Sequence, residues 1–94
     1  MFFPVSKWDF IIRTVQISSY IPGRIRLYSP KLMGNAELGR KVYAYIASYR
    51  EIDNVDVNVL TGSVLITYRP ERLRTNSELA RVENYIMTHV ERRG

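Results

Sequence analysis

From Ile52 to Tyr68, in "IDNVDVNVLTGSVLITY", apolar and polar residues alternate. Val55, Val57 and Val59 recur at every second position, as do Val64, Ile66 and Tyr68, and Thr61-Gly62 interrupts the two runs. Successive side chains of a strand point to opposite faces, so the pattern predicts a β-hairpin with one apolar face. The other face carries Asp56, Asn58, Leu65 and Thr67 and is expected to be wetter. On either side of the hairpin the period lengthens to three or four. Leu38, Val42, Tyr45, Ile46 and Tyr49 form one stripe, predicting a helix that starts after Asn35 as N-cap and runs to about Ile52. Leu79, Val82, Ile86 and Val90 form a second stripe. It opens at "TNSE", where Thr75 and Glu78 have capping-box spacing, and Arg92 and Arg93 suit the negative end of that helix dipole.

Upstream lies "YIPGRIRLYSP", residues 20–30, in which Ile25 and Leu27 supply the inward face of a further strand. The order strand, helix, strand, strand, helix predicts an α+β fold, a ferredoxin-like open-faced sandwich with two helices on one face of an antiparallel sheet. No strand follows the second helix to fill the last edge, but residues 10–21, "FIIRTVQISSYI", have strand composition and can fill it from the N-terminal side. Pro22-Gly23 then suits the centre of a type II turn, with Pro fixing φ and Gly accepting a positive φ. With a plain two-residue loop, Ser18 and Gln16 would face the core and Ile17 and Val15 the solvent. A bulge or a three-residue loop repairs that parity, and so does one long strand kinked at Pro22. Such a strand would span about 46 Å, long for so small a chain, which favours the bulged hairpin.

Composition narrows the function more than the fold. Ninety-four residues are read as one domain over 1–94, with an aromatic N-terminal segment at 1–10. No run is long and apolar enough for a membrane span, and no cleavage site follows the apolar start, which reads as part of the mature protein. The absence of cysteine excludes disulfides, thiolate metal sites and cysteine nucleophiles, and makes a cytoplasmic location the expectation. The net charge is +5 and most of the bases are Arg, so an anionic partner fits.

Candidate chemistry is sparse. No Walker A loop, dinucleotide fingerprint or nucleophile motif occurs, so the chain is read as non-enzymatic and cofactor-free. Arg24, Arg26 and Tyr28 share the face opposite Ile25 and Leu27. With Asn58, Thr67 and Arg69 they would make a basic, partly aromatic binding surface on the open side of the sheet. The alternative is that the arginines pair across the sheet with Asp56 or other acids and only keep the face soluble. Phe2, Phe3, Trp8 and Phe10 either fold back over an open core edge or dock on a partner, a second copy or a membrane interface. No metal site is expected. The weak candidates are Glu51, Asp53 and Asp56, where the first helix gives way to the hairpin, and His89 near the end of the second helix.

At "IPGRIRLYSPKL" and "IDNVDVNVLTGSVLITYRPERL" the chain resembles the cysteine-less branch of the heavy-metal-associated domain family, over roughly residues 15–90. The resemblance implies a ferredoxin-like fold and a setting in transition-metal homeostasis; iron is one candidate metal. It also implies a heavy-metal-transporting P-type ATPase as partner, and hence membrane association through it; a homo-oligomer is the competing expectation, because an aromatic segment and an unpaired strand edge invite pairing between chains. Metal-carrying relatives place a Met-x-Cys-x-x-Cys loop between first strand and first helix, whereas here that connection is "YSPKLMGNAEL", with Met33 as its one sulfur. The expected function is an accessory interaction module without the thiolate site. Two alternatives stand beside it. One is a nucleic-acid or anionic-surface binder using the basic open face, although "SVLITY" lacks the aromatic platform of RNA-recognition domains. The other is weak binding of a hard cation through carboxylates.

Overall fold

The computed structural model describes residues 15–90. Four strands form one antiparallel sheet: β1 Gln16–Ile21, β2 Arg24–Tyr28, β3 Ile52–Asn58 and β4 Ser63–Tyr68, in the order β1-β2-β4-β3. The two long helices, α1 Ala36–Ala47 and α3 Ser77–His89, cover one face. A short helix, α2 Pro70–Leu73, precedes α3, and a 3-10 turn spans Pro30–Leu32. The architecture is ferredoxin-like, with the N-terminal strand β1 at one edge of the sheet beside β2.

Residues 16–28 form the bulged hairpin. Ile21 pairs with Arg24 around Pro22-Gly23, and the register shifts between Ile17 and Ser19. The extra residue, Ser18, returns Ile17 to the position opposite Leu27, so both are buried. Nearer the turn Tyr20 faces inward opposite Ile25, and Ile21 is 58% exposed. Gly23 has φ +96°, which the turn requires, and its carbonyl accepts from the amide of Tyr68 at 3.0 Å. "PGR" is therefore architecture as well as approach to a basic strand. At the other end of the sheet Gly62, φ +73°, is needed for closeness: a Cβ there would lie 2.5 Å from the carbonyl oxygen of Ser29.

The core joins Ile25, Leu27, Val55, Val64, Ile66 and Tyr68 of the sheet to Ile46 of α1 and Leu79, Val82 and Ile86 of α3. Leu27, Ile46, Ile66 and Ile86 are fully buried, each contributing roughly 1.5–3 kcal/mol by leaving water. Asn35 is the N-cap of α1, its side chain accepting from the amide of Leu38 at 3.0 Å. Two expected boundaries move. The first helix ends at Ala47 rather than near Ile52, because Ile52 opens β3 by pairing with Tyr68. The second is capped by Asn76, not by Thr75: the Asn76 side chain accepts from Glu78 and Leu79, while the Thr75 hydroxyl donates back to the carbonyl of Arg72. The unforeseen turn α2 places Thr75 at its end, so that hydroxyl is already engaged.

Candidate binding face of the open sheet

With the helices on one side, the other side of the sheet is open, and the register arranges its side chains in transverse rows. Ile21, Arg24, Thr67 and Asn54 form one row. Ser19, Arg26, Leu65 and Asp56 form the next, and Gln16, Tyr28, Ser63 and Asn58 the last. Arg24, Arg26, Tyr28, Asn58 and Thr67 thus share one face, as their positions in the sequence require. Arg24 and Arg26 project from β2, an inner strand, and both are exposed. Neither makes an ion pair among the described residues. Asp56 lies in the row of Arg26 with Leu65 between them, two strand spacings or roughly 10 Å away, so the cross-sheet pairing considered above does not form.

Arg69 stands apart from this group. It follows the last residue of β4, and its guanidinium lies 3.9 Å from Asp53, which Arg72 also approaches at 3.8 Å. Asp53 sits at the register shift between Ile52 and Asn54 and is spent on these two arginines. Both pairs are largely solvated and contribute little stability. Tyr28 is half-buried, its hydroxyl donating to the Met33 sulfur at 3.6 Å.

The metal candidates do not converge. Among the described residues no three His, Cys, Asp or Glu side chains come together. His89 stacks on Tyr85 with ring centroids 3.9 Å apart, and its Nδ1 lies 2.8 Å from the Tyr85 carbonyl oxygen, at the far end of α3 from Asp53. The connection between β2 and α1 holds one thioether, half-exposed Met33, and this donor set does not fit a soft metal that calls for several thiolates or imidazoles.

Beneath the sheet is a polar centre that the periodicity did not single out. Glu83 of α3 is 2% exposed, and its carboxylate accepts from the hydroxyls of Tyr68 at 2.7 Å and Tyr20 at 3.0 Å. The Arg74 guanidinium donates to both oxygens, at 2.8 and 3.1 Å. Burial alone pushes the Glu83 carboxyl up, but the hydrogen bonds from Arg74, Tyr68 and Tyr20 outweigh it and hold it below the usual carboxylate range. Burial first, and then the Glu83 carboxylate, raise the Tyr68 phenol well above its ordinary value, so it stays a donor. The signal was in the sequence: Glu83 stands four residues after Leu79 and three before Ile86, an acid inside an apolar stripe.

The aromatic positions Phe2, Phe3, Trp8 and Phe10, and the C-terminal Arg92 and Arg93, lie outside the described residues. No helix among the described residues is long and apolar enough to cross a membrane. In comparison with known proteins, the family model "Heavy metal associated domain 2" matches residues 7–91, nearly the whole chain. No curated protein and no solved structure matches it.

Proposed function

The chain belongs to the heavy metal associated domain 2 family, and from that premise we propose that it is a non-enzymatic accessory module of transition-metal homeostasis, acting in the cytoplasm. It engages an acidic protein partner through the open face of its sheet. Arg24 and Arg26 carry the contact, Tyr28, Thr67 and Asn58 frame it, and Arg69 marks its rim. The partner class is a heavy-metal-transporting P-type ATPase, with further copies of the chain as the competing choice.

One observation supports this reading above the rest. Two guanidiniums stand side by side in the middle of an open sheet face, with no carboxylate partner among the described residues. A fold that used them only for solubility could keep them at its edges, whereas on an inner strand they present a fixed fork geometry to carboxylates. The chain also lacks the thiolates of a soft-metal carrier, which leaves contact rather than cargo as its use of the family's shape.

The test is the double variant Arg24→Ala/Arg26→Ala, titrated against a purified P-type metal ATPase of the same organism. Its circular dichroism and melting temperature should match the parent, since no ion pair is removed, and its affinity should fall roughly ten- to a hundredfold. Unaltered affinity, or an unfolded variant, would defeat the assignment. Binding to single-stranded nucleic acid that collapses as salt is raised would move the face to the nucleic-acid class instead.

A further inference from the structure

The two edges of the sheet are not alike. At one, β1 is interrupted by the register shift at Ser18 and followed by Pro22, devices that keep an edge from pairing with another chain. At the other, β3 runs from Asn54 to Asn58 in unbroken register with β4 and carries there no proline, no basic residue and a single charge, Asp56. Backbone direction alternates along a strand. The Asn58 carbonyl accepts from the Gly62 amide at 2.8 Å, so Asn58, Asp56 and Asn54 turn their N–H and C=O groups to β4. Val55 and Val57 turn theirs outward, where no strand pairs with them among the described residues. A groove of about 580 Å³ follows this edge between β3 and α1. Asp56 of the open face and Val57 of the helix-covered face both line it, so it runs along the rim of the strand rather than under one face. Its α1 wall is low, because Ala36, Gly39 and Ala44 are small.

We propose that the occupant is a second copy of the chain, its β3 paired antiparallel with the first about a two-fold axis at Val57. Charge and backbone direction together choose this register. Opposed residues of an antiparallel pair share a face, so the axis must fall on a residue. An axis at Asp56 would set two carboxylates directly opposite, which is destabilising. One at Val55 would run Asp53 and the register shift beside it into the pairing, and one at Asn58 would carry the pairing past the end of β3. With the axis at Val57, the outward N–H and C=O of that residue bond to the same groups of the second copy. On the open face Asp56 then opposes Asn58 of the second copy, and towards the helices Val55 opposes Val59. The Asn58 Oδ1 already accepts from the Leu60 amide at 2.9 Å, which leaves Nδ2 to donate to the opposing carboxylate. Asp56 makes no ion pair among the described residues, so it is available for that bond.

The groove accommodates the helix side of the same contact. Strand addition at an open edge combines backbone pairing with alternate side chains lodged in an adjacent apolar groove, and here the incoming valines meet the small residues of α1. Arg40 and Tyr43, three apart on α1 and both exposed, stand on the rim and face the same pair across the axis, where each guanidinium has a ring to stack on. The two four-stranded sheets become one, with both open faces on the same side. Arg24 and Arg26 of each copy stay exposed, so the dimer displays the basic face twice and does not consume it.

Sedimentation equilibrium of the full chain across the micromolar range tests the proposal, and the parent should be a reversible dimer. Asn58→Asp keeps the acceptor for Leu60 and lowers the net positive charge, yet opposes two carboxylates on each side of the axis. It should raise the dissociation constant roughly tenfold with far-UV circular dichroism unchanged. Asp56→Asn/Asn58→Asp restores one carboxylate opposite one amide and should recover the parent value. Tyr43→Lys, at an exposed position of α1, should weaken the dimer as well and guards against a folding defect in Asn58→Asp. A monomeric parent, a dimer indifferent to both Asn58→Asp and Tyr43→Lys, or a double exchange no tighter than Asn58→Asp would each overturn the proposal. Arg24→Ala/Arg26→Ala should leave the dimer intact, so this surface and the open face are judged separately.

Discussion

Glu83 shows how one charge is kept inside so small a core. Its two oxygens receive four hydrogen bonds, from Tyr20, Tyr68 and twice from Arg74, so the cost of burial is met by partners drawn from β1, β4 and the approach to α3. The folded carboxyl titrates below its unfolded value of about 4.3, so ionised Glu83 contributes stability that is fully present above that value. That contribution is lost as pH falls through the lower, folded pKa. Glu83→Gln should therefore cost about 2–4 kcal/mol at neutral pH and flatten the acid limb of the stability profile. Thermal melts of both proteins from neutral pH downward check this, and an acid limb of equal steepness in the variant would assign the pH dependence to other carboxylates.

At the scale of the element, short-range polar contacts set where each segment starts and stops. Asn35 and Asn76 satisfy the first amides of α1 and α3, and the register shift at Ser18 lets a two-residue turn coexist with an inward Ile17. Asn76→Ala should lower stability by about 1 kcal/mol, whereas Thr75→Ala, which loses only a hydroxyl bond to the exposed end of α2, should lower it by much less. Urea denaturation of the two variants decides between them. If Thr75→Ala proves the more damaging, the helix starts at the capping box that the sequence suggested.

For the whole molecule, the ferredoxin-like sandwich separates three regions: a basic open face, a carboxylate-centred core beneath it, and a groove along the far edge. None of them assembles a soft-metal donor set among the described residues. Anaerobic equilibrium dialysis against ferrous iron, zinc and cuprous copper, followed by elemental analysis, should therefore leave well under one metal ion per chain. Retention near one equivalent of any of the three would overturn the accessory reading and send attention to Glu51, Asp53, Asp56 and His89.

Much of this architecture was legible in the sequence because it rests on local periodicity. Alternation at 55–59 and 64–68 marked the second hairpin, the stripes from Leu38 and Leu79 marked the helices, and Pro22-Gly23 marked the turn that makes β1 an edge strand. Parity along β2 likewise placed Arg24, Arg26 and Tyr28 on one face. Tertiary structure alone decided what depends on partners distant in the chain. Ile52 leaves the helix because Tyr68 offers it a strand partner, and Glu83 tolerates the core because Tyr20 reaches it across 63 positions. Arg24 makes no ion pair among the described residues because the register sets Thr67 and Ile21 beside it. Periodicity depends on neighbours two to four residues away, whereas pairing, burial and the shape of a groove depend on which distant segments the fold brings together.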